Sequence, residues 1–240
     1  MRFDIQNFIC HICGFTGTAD RVQCMLNELK RIGARGTVHW SFPNPFDKVL
    51  LKQFKHSKMF DDNIGFFNAS RNHYRIIKTA YELGREWVWV CEDDCRFMKD
   101  VQAVQKAMSM YPDDADVLLF DGIPASKHDA DLIAKFKATT KDGWMLVSSM
   151  RSAACYALNK KAMKQIIWLY ESVVNKKVHN ATARLCDQWF EDKMLAGCKM
   201  YMACPNIAVQ QTIDGSHNTG SGWRLRGYEM LGINIEDYAK

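Results

Sequence analysis

The sequence predicts an α/β fold, in which a mixed and mostly parallel sheet carries helices on both of its faces. Apolar runs of strand length alternate along the chain with segments of helical periodicity, a pattern typical of β-α-β units. The 240 residues are 48% hydrophobic and 25% charged, which is ordinary for a globular protein and sufficient for one large core. We therefore expect a single domain over residues 1–240.

The first predicted elements form a β-α-β unit. A strand from Phe8 to Cys13 leads into a loop of small residues over 14–19, then into a helix and a short strand over 37–40. Asp20 is predicted to be the helix N-cap, with Gln23 completing a capping box. Such a loop lets backbone N–H groups approach a nucleotide. It does not match G-x-G-x-x-G, so its signal is weak by itself.

The alternation continues to the end of the chain. Further helices are predicted at 68–83, 101–110, 160–172 and from about residue 187, the third capped by Asn159. Further strands are predicted at 87–92, 117–122, 144–147, 154–158 and 199–203. The segments predicted as irregular or loop are 42–62, 175–184 and 214–222.

One predicted strand ends in three consecutive acids. The apolar run over 87–91 is followed by Glu92, Asp93 and Asp94. Unpaired carboxylates cannot lie in a core, because removing them from water costs several kcal/mol or more. Hard oxygen ligands where a strand leaves the sheet suit Mg²⁺ or Mn²⁺, and ligand crevices lie at the carboxyl ends of strands. The alternative is a solvated acidic turn beside a helix N-terminus.

Composition excludes several classes of protein. The net charge is +5 and basic residues are scattered, which argues against nucleic acid as a partner. No apolar run reaches about 18 residues, so we expect no transmembrane segment. Nine cysteines and no signal-peptide h-region favour a reducing, cytoplasmic compartment. Cys10-x-x-Cys13 has no second pair at zinc spacing, so buried strand cysteines are favoured over zinc or a redox dithiol.

Three residues late in the chain are candidates for chemistry, each with a simpler alternative. His217 lies in a loop that could fold over the acids and complete a metal shell, although a lone loop histidine is usually solvated. Asp187 opens a predicted helix and is either its N-cap or a general base. Arg224 could clamp phosphate or be an ordinary surface residue.

The order of these segments over about residues 5–220 resembles glycosyltransferase family 25, the lipopolysaccharide/lipooligosaccharide type of sugar transferase with the GT-A fold. The matching segments are Asp20-Arg21, Ile64 to Ser70, Glu92-Asp93-Asp94, Ala154 to Leu158, Asp187, Pro205 to Gln210, and Ser216. The chain departs from the family pattern where Phe66 replaces a cysteine and where His73 falls late. It therefore resembles a divergent member.

The resemblance implies a metal-dependent glycosyltransferase of hexosyltransferase type, acting in cell-surface glycan or lipopolysaccharide biosynthesis. The donor would be a nucleotide-sugar, most simply a UDP-sugar, and the acceptor a glycan or a lipid-linked hydroxyl, with inversion at the anomeric carbon. Residues 1–122 would form the nucleotide-sugar-binding half, and 123–240 the acceptor-binding half with a C-terminal lid loop. A lipid-linked acceptor would favour a location at the inner face of the membrane.

The resemblance also implies roles for individual residues. Glu92, Asp94 and His217 would hold Mn²⁺ or Mg²⁺, which bridges the diphosphate as a Lewis acid. Asp187 would deprotonate the acceptor hydroxyl. The residues expected to bind the donor are Asp20, Arg21, Gly65, Ser70, Asp93 and Arg224.

Two other functions stay open at this point. A nucleotidyltransferase also uses metal-bound acids at a sheet edge, but it should carry a basic pyrophosphate loop, and 14–19 has no basic residue. A non-catalytic carbohydrate-binding protein could keep the same fold. The intact run Glu92-Asp93-Asp94 argues against this second alternative.

Overall fold

A seven-stranded sheet forms the centre of the protein. The structure is a computed structural model that describes residues 2–15, 17–41, 64–124, 127–139, 143–174, 186, 189–190, 195, 197–210 and 221–238. The predicted segments at 42–62 and 175–184, and residues 214–220 of the predicted C-terminal loop, lie outside this set.

Strands and helices alternate along the first part of the chain, as predicted. The strands are β1 (Ile9–Phe15), β2 (Arg35–Ser41), β3 (Trp87–Glu92), β4 (Cys95–Phe97), β5 (Val117–Leu119), β6 (Ile123–Pro124), β7 (Gly143–Val147), β8 (Met150–Arg151), β9 (Cys155–Asn159), β10 (Met200–Cys204) and β11 (Ala208–Gln210). The helices are α1 (Ala19–Arg31), α2 (Ile64–Glu82), α3 (Val101–Ser109), α4 (Lys127–Thr139), α5 (Lys160–Val174) and α6 (Ser221–Met230), followed by a 3₁₀ turn over Ile235–Asp237.

The central sheet is mixed and mostly parallel, which confirms the predicted fold class. Its strand order is β2-β1-β3-β9-β5-β10-β7. Strands β2, β1, β3, β5 and β10 run in one direction, whereas β9 and β7 run against them. Because β9 lies between β3 and β5, strands from both halves of the chain share one sheet. The carboxyl ends of the five parallel strands therefore meet at one edge.

Side-chain alternation along the buried strands divides the core into two layers. Val88 and Val90 of β3 face a cluster that includes Ile77 of α2 and Ile166 of α5. Trp89 and its neighbours on the opposite face pack with residues of α1 and α3. Both faces of the sheet are thus covered by helices, as a strand that is apolar at successive positions requires.

The two cysteines of the C-x-x-C sequence lie on opposite faces of β1. Cys10 belongs to one core cluster and Cys13 to the other, and both are fully buried. Three residues of separation along a strand turn the side chains to different faces, so these thiols cannot share an ion. All nine cysteines are free thiols. No helix among the described residues combines the length and apolar character that crossing a bilayer requires.

The predicted N-cap of the first helix is wrong, whereas that of α5 is confirmed. Thr18 is the N-cap of α1, and Asp20 lies exposed in the first turn. Gln23 bonds to Asn27 at 3.2 Å and closes no capping box. The helix begins earlier because the chain leaves β1 in a turn, in which the Thr18 N–H donates to the Phe15 carbonyl at 3.1 Å. Asn159 Oδ1 accepts from the Ala162 N–H at 3.0 Å.

Two helices differ from the sequence prediction. Helix α4 was not predicted, because its polar and apolar residues form no clear stripe. Helix α6 begins at Ser221, inside the segment predicted as loop up to residue 222. A tertiary contact favours this helix: Tyr228 belongs to a small buried cluster with Ile123, Val209 and Tyr238. Local Gly and Ser composition does not reveal such a contact.

A pair of histidines between β1 and β2 predicts acid sensitivity. His11 Nδ1 and His39 Nε2 lie 2.7 Å apart, and burial, helped by His39, lowers the pKa of His11 from 6.5 to about 4. The unfolded chain therefore binds a proton that the folded chain does not bind between these values. We expect the free energy of unfolding to fall as the pH drops from 6.5 to about 4.

Urea unfolding across this pH range tests the expectation. His11→Asn should give a shallower dependence on pH than the wild type. The exposed His128 provides the matched control, since His128→Asn should leave the dependence unchanged. Equal slopes for wild type and His11→Asn would contradict the assignment.

Candidate active site at the carboxyl edge of the sheet

The three consecutive acids lie at the edge where the parallel strands end. Glu92 is the last residue of β3, opposite Cys13 of β1 in the register. Asp93 and Asp94 form the turn that leads into β4. They are 1% and 5% exposed, respectively, whereas Glu92 is partly exposed. The acids are therefore not a solvated turn, and their burial requires compensating partners.

Arg21 is the main counter-charge of the two buried aspartates. Its Nη2 atom lies 2.7 Å from Asp93 Oδ1 and 2.7 Å from Asp94 Oδ2. The Arg21 side chain is 22% exposed, so the guanidinium closes the turn from the solvent side. The position of Arg21 in the first turns of α1 follows from the β-α-β unit, which delivers the start of that helix to the carboxyl edge.

Thr18 ties the loop after β1 to the same turn. Its hydroxyl lies 2.6 Å from both the Phe15 carbonyl and Asp93 Oδ2. The side chain of Arg96, fully buried behind the turn, donates to the Cys95 carbonyl at 2.7 Å. Thr18 thus fixes the carboxylate of Asp93 from the loop after β1, and Arg96 of β4 donates to the Asp93 carbonyl at 3.4 Å.

Gln210 joins Glu92 to Asp94, a contact that sequence reasoning did not predict. Its Nε2 donates to Glu92 Oε2 at 2.8 Å and to Asp94 Oδ2 at 3.0 Å. The pairing of β11 with β4 sets Gln210 opposite Cys95. The only available signal was the Pro205-to-Gln210 segment of the family resemblance, which gives no partner for the amide.

The buried Asp121 supports Gln210 through Tyr228. The Gln210 N–H donates to the Tyr228 hydroxyl at 2.9 Å, and this hydroxyl donates to Asp121 Oδ1 at 3.0 Å. Asp121 also accepts from Ser152 at 2.6 Å and from Asn206 at 3.2 Å. Neutral donors therefore solvate this fully buried carboxylate. These hydrogen bonds fix the backbone of Gln210 against Tyr228 of α6 and, through it, against Asp121.

Burial still disfavours the charged forms of Asp93 and Asp94 despite these partners. Burial raises the pKa of Asp94 to about 7, with a further contribution from Glu92 and an opposing one from Arg21. Burial likewise raises the pKa of Asp93, although Arg21 and Thr18 oppose the change. Additional positive charge beside Asp94 would relieve this cost.

The residues present fit a divalent cation beside Glu92 and Asp94. Asp94 Oδ1 and Gln210 Oε1 are buried oxygens that have no hydrogen-bond partner within the described part of the chain. Carboxylate and amide oxygens are ligands that Mg²⁺ and Mn²⁺ prefer. His217, the third predicted ligand, lies outside the described residues. Asp93 is engaged by Arg21 and Thr18, and its predicted donor-binding role stays a prediction.

A histidine of α2 approaches Glu92 from the other side. His73 Nε2 lies 3.4 Å from Glu92 Oε1. In the sequence, His73 stands out only because it falls late relative to the family pattern. One turn earlier on α2, Ser70 is 2% exposed and accepts from the Cys186 N–H at 3.0 Å. The hydroxyl of Ser70 therefore fixes the backbone at Cys186, and its predicted donor-binding role stays a prediction.

The structure brings some of the other predicted residues to this edge and leaves others undescribed. Asp20 is exposed on α1, one residue from Arg21. Gly65 lies in the first turn of α2, and Arg224 lies in α6 without a described side chain. Asp187 is outside the described residues. Their roles stay predictions.

The two-fold contact of Arg21 predicts a large effect on stability. Arg21→Met leaves two buried carboxylates without their cation, and such losses cost about 3 kcal/mol. We expect the free energy of unfolding, measured in urea, to fall by roughly that amount. Adding Asp94→Asn to Arg21→Met should recover part of the loss, since one uncompensated charge is removed.

The exposed Arg35 supplies the control for this experiment. Arg35→Met should change the free energy of unfolding by no more than about 0.5 kcal/mol. An Arg21→Met variant as stable as Arg35→Met would show that the acids do not depend on Arg21.

Comparisons with solved structures give several distant likenesses. No protein-family model matches this chain, and no curated protein matches it. The chain is similar to a glycosyltransferase involved in the glycosylation of the major capsid of PBCV-1, with a TM-score of 0.42 and 10% identity over 94% of this chain and 100% of that one. It is also similar to mouse xyloside xylosyltransferase 1 in its apo form, with a TM-score of 0.36 and 10% identity over 77% of this chain and 80% of that one. Both TM-scores are low, so the proposal below depends on the residues of the site.

Proposed function

We propose that the protein is a metal-dependent glycosyltransferase that moves a sugar from a nucleotide-sugar to an acceptor hydroxyl. The observation that carries this proposal is the buried turn of Glu92, Asp93 and Asp94, held by Arg21 and Gln210 at the carboxyl edge of the sheet. This edge is where open α/β sheets bind their ligands. The family resemblance of the segment order supports the same function.

The acidic turn and Arg21 would bind the diphosphate of the donor. Glu92 and Asp94 would hold Mn²⁺ or Mg²⁺, which supplies charge neutralisation of the leaving diphosphate. Arg21, which is partly exposed beside these acids, would turn toward the phosphate oxygens on the same side. Asp93 and Thr18 would keep the loop after β1 in place for the nucleoside, since their bond links the loop to the turn.

The second half of the chain would provide the acceptor side. Asp187 would act as the general base that deprotonates the acceptor hydroxyl for in-line attack with inversion. The segment over 214–226 would close over the donor and exclude water, which limits hydrolysis. A glycan or lipid-linked acceptor in cell-surface glycan biosynthesis would place the enzyme in the cytoplasm or at the inner face of the membrane.

A thermal-shift panel of UDP-, GDP- and CMP-sugars, each with and without Mn²⁺, tests the donor site. A ligand that binds only the native state raises the melting temperature. We expect a metal-dependent rise with one nucleotide class, most simply UDP, and its loss in Asp94→Asn. Asp114→Asn, which alters an exposed acid paired with Lys199, should keep the rise. A full rise in Asp94→Asn would contradict the assignment.

The predicted base gives a different signature. Asp187→Asn should lose at least about a hundredfold in transfer rate, because positioned general bases contribute factors of this order. Its metal-dependent melting rise with the donor should equal that of the wild type. A smaller rise with the donor would instead assign Asp187 to the nucleotide side of the site.

A further inference from the structure

A buried cluster of mixed chemistry lies against the other oxygen of Glu92. His73, Glu92 and Cys186 place a ring nitrogen, a carboxylate oxygen and a thiol sulfur within 4.8 Å of one another. His73 is fully buried and Cys186 is 6% exposed. Glycosyl transfer as proposed above uses neither His73 nor Cys186.

The imidazole of His73 is held from its far side. Its Nδ1 atom lies 2.8 Å from the Tyr156 hydroxyl, and the two rings stack at 5.7 Å. The edge of Trp189 also contacts the imidazole at 6.4 Å between ring centroids. Histidines that bind metals usually have one ring nitrogen fixed in this way, which directs the lone pair of the other toward the ion. In His73 that other nitrogen is Nε2.

The spacing of Nε2 and Glu92 fits two ligands of one ion. Nε2 is buried and has no hydrogen-bond partner among the described residues, although Glu92 Oε1 is 3.4 Å away. A nitrogen lone pair facing a carboxylate oxygen is repulsive unless a proton or a cation lies between them. Metal bonds of about 2.0 to 2.3 Å at tetrahedral angles separate two ligands by about 3.3 to 3.7 Å.

Helix α2 positions two of the three groups together. Ser70 and His73 are one turn apart on this helix, and Ser70 Oγ accepts from the Cys186 N–H at 3.0 Å. The backbone of Cys186 is therefore tied to the helix that carries His73. Glu92 reaches the same point from β3, whose last N–H donates to the Ala154 carbonyl at 2.8 Å.

We propose that His73, Glu92 and Cys186 form a binding site for Zn²⁺ or for a transition metal ion with similar ligand preferences. Nitrogen, sulfur and oxygen ligands together select such ions, whereas Mg²⁺ and Mn²⁺ prefer oxygen alone. The Cys186 thiol loses its proton to solvent when the ion binds. Three protein ligands leave a fourth coordination position, as in zinc sites that bind water. The proposal stands on this cluster and does not require glycosyl transfer.

Titration of the chelator-treated protein with Zn²⁺ and Co²⁺, without any donor, tests the site. We expect one equivalent to bind, and Co²⁺ to give a near-ultraviolet charge-transfer band that requires a thiolate ligand. Cys186→Ser, which preserves size, should lose this band. His73→Gln should weaken binding at least tenfold, because even changes to residues behind the ligands cost about 10- to 100-fold.

Two control variants separate this site from its neighbours. Cys24→Ser alters an exposed thiol and should keep both the band and the stoichiometry. Asp94→Asn should also keep them while losing the donor-dependent Mn²⁺ effect, so the two metal proposals fail independently. Circular dichroism and melting of each variant show that it is folded, and Cys186→Ser decides the outcome if His73→Gln does not fold.

Three results would overturn the proposal. A full-strength cobalt band in folded Cys186→Ser would exclude this thiol as a ligand. Loss of the band in Cys95→Ser, with Cys186→Ser unaffected, would assign the ion to the other cluster of thiols, formed by Cys91, Cys95 and Cys155. Absence of any Zn²⁺ or Co²⁺ binding would have the same consequence for the proposal.

Discussion

The carboxyl edge depends on the contact that one nitrogen of Arg21 makes with both aspartates after β3. Two carboxylates that are almost fully buried and adjacent in sequence would repel each other and lose their hydration. One guanidinium nitrogen, 2.7 Å from each of them, offsets both costs. It can do so only because α1 starts at the edge where β3 ends. The acidic turn therefore depends on the β-α-β connection, which places Arg21 beside it.

The rest of the edge consists of partners that fix this turn from other directions. Gln210 arrives on β11 and is supported through Tyr228 by the buried Asp121. Asp94 and Asp121, which follow the apolar strands β3 and β5, are thus connected through the side-chain amide and backbone N–H of Gln210 and the phenol of Tyr228. Removing any member leaves a buried polar group unsatisfied, so the network specifies one arrangement of the loops more strongly than its separate bonds suggest.

Much of this arrangement follows from local sequence, and the remainder depends on contacts that local sequence does not encode. Apolar runs and end signals predict the strands and most helices, and the abrupt change from Val90 to Glu92 predicts a functional turn. The N-cap at Asp20 is wrong because a threonine two residues earlier already begins the helix. Gln210 and His73 reach Glu92 through strand pairing and helix packing, which periodicity cannot reveal.

Glu92 connects the two chemical environments of this edge. Its Oε2 faces the amide of Gln210, which also contacts Asp94, whereas its Oε1 faces the imidazole of His73 in the cluster that includes the thiol of Cys186. A carboxylate with two oxygens can serve both sides at once, but its charge is shared between them. Positive charge gained on the histidine side would weaken its hold on a cation at the aspartate side. The acid that is least buried of the three is therefore also the one whose charge would couple the proposed donor site to the proposed transition-metal site.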